Sequence, residues 1–218
     1  MRGQNRVLEL IARGAPLHET LDTLLRIVEE QSPGMLASIL LLAPDGVHVR
    51  HGAAPSLPES YIKAIDGEAI GPCAGFCGTA AYRREPVIVE DIATDPLWAT
   101  YKSFALEHGL RACWSTPIFD EQHCVLGTFA LCFRQSGRPG NRHLKQIEMG
   151  THTASIAIVK HRERQALGSA EQRLRLALEA GTIGIWEIGI GSDRLTWSSQ
   201  LKAIFGYPNC FVARSSSE

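Results

Sequence analysis

The sequence has no long apolar run. No window of its 218 residues reaches the roughly 18 consecutive apolar residues that a membrane-spanning helix needs. The N-terminal stretch MRGQNRVLEL also lacks the apolar core of a secretory signal peptide. We therefore expect a cytoplasmic protein without a membrane span.

The sequence also lacks an excess of charge of either sign. It has 22 lysine and arginine residues against 23 aspartate and glutamate residues, which gives a formal net charge of −1. Without a basic field, little attracts the phosphates of nucleic acid or an anionic membrane surface. We expect no nucleic-acid partner.

The six cysteines lack the short spacings of a metal site, because no Cys-x-x-Cys and no His-x-x-x-His pair occurs. The candidate ligands are Cys113, His123, Cys124 and Cys132. Cys124 and Cys132 would lie roughly 26 Å apart along one strand, which is too far for a shared ion. We expect no metal site, and in a cytosolic chain we expect free thiols.

Apolar periodicity instead predicts a mixture of helices and strands. The run MLASILLL, which begins at Met35, is short and apolar throughout, as is typical of a buried strand. Helices are expected at 4–13, 16–31 and 58–65, and strands at 35–42, 47–50, 87–89, 111–119 and 123–133.

The chain is organised around the stretch from Gly71 to Pro117, which begins with several glycines and then alternates short helices with strands. Its best-marked element is a helix that Asp95 caps, that begins with Pro96 and that ends before Gly109. A helical insertion of this kind between two strands predicts a lid over a pocket.

Residues 141–180 contain no proline and predict one long helix. An apolar stripe recurs at Ile147, Thr151, Ala154 and Ile158, and after a skip in phase at Leu167, Ala170, Leu174 and Ala177. One small sheet cannot cover the whole stripe, so we expect the helix to pair with a second copy of itself. A monomeric helix packed on its own sheet is the alternative.

The run CGTAAYRREPVIVEDIATDPLWATY, followed by HGLRACWSTPI, resembles the middle of a GAF domain, a small-molecule sensing module of signalling proteins. The resemblance covers roughly residues 17–159. It implies an α/β (α+β) fold with a central antiparallel sheet of five or six strands. Pocket helices would cover one face of this sheet, and the N-terminal and C-terminal helices would cover the other.

A GAF fold implies a cavity under the lid, and an apolar concavity with a few polar groups is typical of a small-molecule site. The candidate pocket residues are Phe76, Cys77, Thr79, Asp91, Trp98, Tyr101, Phe104, Arg111, Trp114 and Thr116. The aromatic members would also serve as core in a domain with only 7% Phe, Trp and Tyr, and this alternative stays open. The ligand itself is unknown at this point.

Several known GAF activities fit the sequence poorly. Cys77 matches a cysteine of the free methionine sulfoxide reductases, but their reactive cysteine would fall within residues 97–101, where none occurs. The cysteine that attaches a bilin would fall near Leu97, so covalent bilin binding is not expected. The Asn-Lys-x-Asp signature of cyclic-nucleotide binders is also absent, whereas a haem held by His108 stays open.

The last part of the chain, QRLRLALEAGTIGIWEIGIGSDRLTWSSQLKAIFGY, resembles the opening of a PAS domain. It predicts a strand at Ile183 to Ile190, a Gly191-Ser192-Asp193 turn, a strand at Arg194 to Trp197 and a helix that Ser198 caps. One hairpin and one helix bury too little to fold alone. We therefore expect residues 181–218 to be disordered, or to pack on the preceding domain or a partner chain, in a piece of a longer protein.

These expectations divide the chain into an N-terminal helix at 1–16, a GAF core at 17–140, a signalling helix at 141–180 and the start of a PAS domain at 181–218. The resemblance implies a bacterial sensory module that binds a small ligand non-covalently and forms a homodimer through its terminal helices. Downstream PAS and output domains, usually a histidine kinase, a diguanylate cyclase or a phosphodiesterase, would receive the signal. No motif of such an output domain occurs in the 218 residues, so we expect no catalysis here. The alternatives are a thiol enzyme that uses Cys77 and a dimerisation module without a ligand.

Overall fold

A five-stranded antiparallel sheet with strand order β2-β1-β5-β4-β3 lies at the centre of the computed structural model. The structure describes residues 2–99, 101–181, 183–189 and 195–208. The chain divides into two units, residues 1–162 and residues 163–218. The elements of the first unit are α1 (Arg2–Arg13), α2 (Leu17–Glu30), β1 (Met35–Leu42), β2 (Val49–Ala53), α3 (Glu59–Ile65), α4 (Gly75–Arg83), β3 (Val87–Val89), a 3-10 turn (Pro96–Trp98), α5 (Lys102–Glu107), β4 (Ala112–Phe119), β5 (Val125–Phe133) and the first part of α6 (Asn141–Ala180).

Helices cover both faces of the sheet, and this explains why β1 and β5 are apolar almost throughout. One core contains side chains of α1, α2 and α6, such as Val7, Leu25 and Ile158, against one face. A second core contains side chains of α3, α4 and the 3-10 turn, such as Tyr61, Phe76 and Trp98, against the other face. The five-stranded sheet with pocket helices on one face and terminal helices on the other confirms the predicted fold class.

The predicted helix between Asp95 and Gly109 is wrong as one element, although both of its ends are where the sequence indicates. Asp95 Oδ1 accepts a hydrogen bond from Leu97 N at 2.8 Å, and Gly109 has a φ of +75°. Between them lie the 3-10 turn and α5, because Tyr101 leaves the helical region with φ −108° and ψ 0°. We attribute the break to Trp98, whose buried ring stacks on Phe76 rather than continuing along a helix surface.

The long helix α6 has the predicted bounds, Asn141–Ala180. Its first half packs on the sheet through Ile147, Ala154 and Ile158. Gly150 allows this close approach, since a Cβ built there would lie 2.6 Å from the ring of the fully buried Phe129.

The second unit contains the rest of α6 and three short elements: β6 (Trp186–Ile188), β7 (Leu195–Trp197) and α7 (Ser199–Ile204). β6 and β7 pair in antiparallel fashion, and Ser198 Oγ caps α7 by accepting from Leu201 N at 3.2 Å. The predicted turn at 191–193, the predicted strand ends Ile190 and Arg194, and Cys210 lie outside the described residues. Across the ranges that the structure describes, none of the helices has the length and apolar character to cross a membrane.

Candidate functional site

A small cavity lies between the sheet and the helices of the second core. Its volume is about 60 Å³. Its walls come from β1, β2, α3, α4, the 3-10 turn, α5 and the loops between them, and are lined by Leu40, Val49, Tyr61, Ile65, Glu68, Ala69, Ala74, Gly75, Phe76, Cys77, Gly78, Trp98, Tyr101 and Phe104. Nearly all of these side chains are apolar, so the cavity favours an apolar guest.

Five of the predicted pocket residues meet at this cavity: Phe76, Cys77, Trp98, Tyr101 and Phe104. Phe76 and Cys77 come from α4, which begins at Gly75 with a φ of +61° that favours glycine. The Phe76 and Trp98 rings stack with their centroids 5.3 Å apart. Whether these residues contact a ligand stays a prediction.

Two predicted pocket residues of β4, Trp114 and Thr116, do not line the cavity. Trp114 belongs to the core on the opposite face of the sheet, where its ring centroid lies 4.3 Å from that of Phe133 and 5.1 Å from that of His143. Its Nε1 donates to the carbonyl oxygen of Gly137 at 3.2 Å. Because side chains alternate along a strand, Thr116 shares the face of Trp114.

Two of the three remaining predicted residues serve the local structure. Thr79 Oγ1 accepts from Ala74 N at 3.0 Å and so holds the start of α4. Asp91 Oδ1 accepts from Ala93 N at 2.9 Å in the turn after β3. Arg111 is exposed and comes directly before β4. Neither these three nor the two β4 residues are among the cavity walls.

The sequence analysis missed Tyr61 and Glu68, which also line the cavity. Tyr61 is 1% exposed, and its ring stacks on Phe104 with the centroids 5.4 Å apart. Tyr61 and Ile65 are four residues apart on α3, and this helical spacing could have indicated that both face inward.

Polar groups are few at the cavity. Tyr101 Oη donates to Glu68 Oε2 at 3.3 Å, and partial burial together with the Glu68 charge raises the pKa of Tyr101. Trp98 is 2% exposed, and its Nε1 has no hydrogen-bond partner among the described residues.

The cavity does not fit a haem. A volume of about 60 Å³ is far smaller than a macrocycle requires. Both ring nitrogens of His108 are also engaged, since Nε2 lies 2.8 Å from Ser60 Oγ and Nδ1 lies 2.8 Å from the carbonyl oxygen of Phe104. Binding of iron by His108 would have to break one of these hydrogen bonds.

The buried thiols are poorly suited to nucleophilic chemistry. Cys77 is 6% exposed, and burial raises its pKa to about 12, although a hydrogen bond that Ser115 Oγ donates to Cys77 Sγ at 3.5 Å opposes the shift. Cys113 and Cys132 face each other on β4 and β5 with their Sγ atoms 3.0 Å apart, and burial raises the pKa of Cys113. In the part of the chain that the structure describes, no three His, Cys, Asp or Glu residues are arranged to hold a metal ion.

A sequence profile of the GAF domain matches residues 14–159. The chain belongs to the GAF domain family. The methyl sulfide methyltransferase-associated sensor of Methanosarcina acetivorans is 40% identical over 172 residues, which are 79% of this chain and 17% of that protein. The chain therefore spans only a small part of this relative, whose name supports a sensory role for the GAF domain described here.

Solved structures show the same fold at low sequence identity. A domain described as part of a two-component sensor histidine kinase of Sinorhizobium meliloti has a TM-score of 0.57 and 21% identity, and the match covers 69% of this chain and 96% of that chain. A free methionine-R-sulfoxide reductase of Neisseria meningitidis, in complex with its substrate, has a TM-score of 0.56 and 12% identity, with 74% and 89% covered. The structural similarity supports the GAF fold. Identities this low do not show which ligand or reaction this chain shares with these proteins. The PAS resemblance and a bacterial origin stay predictions.

Proposed function

We propose that this chain is a regulatory GAF module that binds a small ligand non-covalently and relays occupancy of its cavity through paired α6 helices. The observation that carries the proposal is the apolar cavity of about 60 Å³, which Phe76, Trp98, Tyr101 and Phe104 help to line. In a domain that binds no ligand, larger side chains that filled this apolar void would stabilise the fold, so the void itself supports a binding role.

The second half of α6 supports the relay. Leu167 and Leu174 are each 61% exposed in the single chain, and the small side chains of Ala170 and Ala177 complete their stripe. The spacing of three, four and three residues is that of a coiled-coil seam, which needs a partner helix. We propose that the partner is α6 of a second copy, and that a PAS domain and a histidine kinase, diguanylate cyclase or phosphodiesterase follow in the parent protein.

The burial of Cys77 argues against the thiol enzyme. At neutral pH a thiol with a pKa of about 12 is almost entirely protonated, and the thiolate is the nucleophile. We therefore propose that the chain has no catalytic activity of its own. Replacement of Cys77 by Ser followed by an assay of methionine sulfoxide reduction tests this; turnover by the parent chain that the variant loses would contradict the proposal.

Ligand binding is tested by plugging the cavity at its edge. Ala69 lines the cavity and is exposed, so Ala69→Trp should fill the opening without disturbing the core. Ala64→Trp is the matched control, since Ala64 is an exposed alanine of α3 that does not line the cavity.

Native mass spectrometry of freshly purified protein, followed by thermal-shift screening of small molecules, provides the readout. We expect bound mass or thermal stabilisation in the parent chain and in Ala64→Trp, and its loss in Ala69→Trp. If no compound binds, or if the plugged variant binds as well as the control, the ligand is not in this cavity and a dimerisation module without a ligand becomes the better account.

A further inference from the structure

The wall of the cavity combines aromatic rings and one carboxylate with no cationic side chain. Five of its fourteen lining residues are aromatic: Tyr61, Phe76, Trp98, Tyr101 and Phe104. Glu68 is the one charged side chain among the fourteen. The face of an aromatic ring carries negative electrostatic potential, as a carboxylate does, and both attract cations. The composition of the wall is therefore complementary to a small cation.

Two stacks hold the rings in place around the cavity. Tyr61 stacks on Phe104 with an interplanar angle of 12°, and Trp98 stacks on Phe76 with an angle of 19°. Phe104 and Tyr101 line the cavity and are only half-buried, so their rings retain surface that a guest can contact. A cation within about 6 Å of a ring centre is attracted by the ring, and in so small a cavity a guest lies close to every ring that it contacts.

Glu68 lies beside these rings and has no cationic partner among the described residues. Tyr101 Oη donates to Glu68 Oε2 at 3.3 Å, and Val49 N donates to the carbonyl oxygen of Glu68 at 2.9 Å. None of the ion pairs between described residues includes Glu68, whereas Glu59 on α3 pairs with Lys63 at 2.7 Å. The exposed carboxylate of Glu68 is therefore available to a cation that enters the cavity.

The volume and the apolar wall limit the kind of cation. An apolar cavity of about 150 Å³ holds a benzene molecule, so a cavity of about 60 Å³ suits roughly two to four heavy atoms. A hard metal cation such as Ca²⁺ requires several oxygen ligands, and most of the lining side chains have no oxygen atom. An alkylammonium ion presents methyl groups to the apolar wall and its charge to the rings and the carboxylate.

We propose that the ligand of this cavity is a small alkylammonium ion, which the aromatic rings surround and whose charge the carboxylate of Glu68 balances. This inference rests on the proposed function, because it assumes that the cavity is a ligand site. It goes further in naming the chemical class of the ligand.

Dimethylammonium and dimethyl ether are suitable probes, because both have three heavy atoms in a bent chain and they differ in the charge of the central atom. Each is titrated into the protein at constant ionic strength while the ring resonances of Phe76 and Tyr101 are followed by NMR. Glu68→Gln removes the charge of the carboxylate and keeps its shape. Glu59→Gln is the matched control, since Glu59 is exposed and does not line the cavity.

A third variant, Phe104→Leu, removes one ring of the wall and keeps an apolar side chain there. The affinity of each variant for dimethyl ether reports whether its cavity still admits a guest. The ratio of the two affinities then isolates the effect of the charge, because the two probes have nearly the same size.

We expect dimethylammonium to shift both ring resonances in a saturable way and to bind more tightly than dimethyl ether. Glu68→Gln should lower the dimethylammonium-to-ether affinity ratio by about threefold to fivefold, as the loss of an exposed ion pair predicts. Phe104→Leu should lower the ratio by about fivefold, because one cation–π contact is lost. Glu59→Gln should leave the ratio unchanged.

The outcomes separate the two proposals. If the ether binds as tightly as dimethylammonium, or if Glu68→Gln and Glu59→Gln have the same ratio, the cation inference is overturned while the cavity remains a ligand site. An unchanged ratio in Phe104→Leu would also overturn it, because a surface ion pair alone would then explain the binding. If neither probe perturbs Phe76 or Tyr101, the proposed function fails as well.

Discussion

Burial decides the chemistry of Cys77. The residue follows a pattern in which a cysteine precedes Gly-Thr-Ala, and the sequence alone could not say whether its thiol is accessible. In the structure Cys77 lies in the second core, where Ser115 donates to its sulfur and burial raises its pKa to about 12. Burial therefore keeps the thiol protonated at neutral pH, and the thiolate is the reactive form.

The cysteines should accordingly divide by burial in a labelling experiment. With iodoacetamide at pH 8, we expect the exposed Cys73 and Cys124 to be alkylated in the native protein, whereas Cys77, Cys113 and Cys132 are protected. Peptide mapping by mass spectrometry measures each site. In urea all of them should react, which shows that protection comes from the fold; alkylation of Cys77 as fast as Cys73 in the native state would show that the thiol is accessible.

His143 predicts a pH dependence of stability. It packs on Trp114 and Phe133, and burial, together with the charge of Arg142, lowers its pKa below the ordinary value of 6.5. Below pH 6.5 the unfolded chain therefore binds more protons at this residue than the native chain, so the contribution of His143 to stability falls as the pH falls.

We expect the urea midpoint to drop more between pH 7.5 and pH 5.5 in the parent protein than in His143→Gln, in which this titration is absent. All other ionisable groups are common to the two proteins, so their contributions cancel in the comparison. Equal drops in the two proteins would mean that the ring of His143 is protonated as readily in the folded state as in the unfolded state.

Elements that rest on local signals could be read from the sequence. The apolar run of β1 and the proline-free stretch of α6 have the predicted bounds. The break between the 3-10 turn and α5 could not be read, because it depends on the burial of Trp98 against Phe76. The face of the sheet on which Trp114 lies could not be read either. β4 is buried on both sides, so its apolar pattern does not show which of its side chains face the cavity.

The packing of α6 on the sheet depends on one glycine. Gly150→Ala should destabilise the protein by about 1–3 kcal/mol despite the better helix propensity of alanine, because the new methyl group would lie 2.6 Å from the buried ring of Phe129. Gly168→Ala on the same helix meets no atom within 4 Å and should raise stability by up to about 1 kcal/mol. Urea unfolding measures both; a Gly150→Ala protein as stable as Gly168→Ala would show that the helix stands further from the sheet than described.

The second half of α6 predicts a dimer that one charge can break. Leu174→Glu places a carboxylate in the proposed seam, and we expect sedimentation velocity at micromolar concentration to show a monomer where the parent chain is a dimer. Gln172→Glu makes the same charge change on the opposite side of the helix and should leave the dimer intact. A parent chain that sediments as a monomer would remove the helix relay.

At the scale of the whole molecule, the GAF fold separates the cavity from the long helix by one sheet. The cavity lies against one face, where Trp98 and Cys77 pack, and the first half of α6 lies against the other, where Gly150 contacts Phe129. Through this shared sheet, a ligand can bias the pairing of two α6 helices only as far as it binds their alternative packings with unequal affinity.

The distance between the two α6 helices of a dimer is the most direct measure of this bias. A spin label is placed at Gln172→Cys in a chain with Cys73→Ser, Cys124→Ser and Cys210→Ser, and the buried thiols are left in place. Pulsed electron double resonance then gives the interhelical distance distribution with and without a saturating probe compound taken from the thermal-shift screen, while the Phe76 ring resonances report that the cavity is filled. Our account predicts an interchain distance whose distribution shifts when the probe enters; an unchanged distribution with a filled cavity would contradict it.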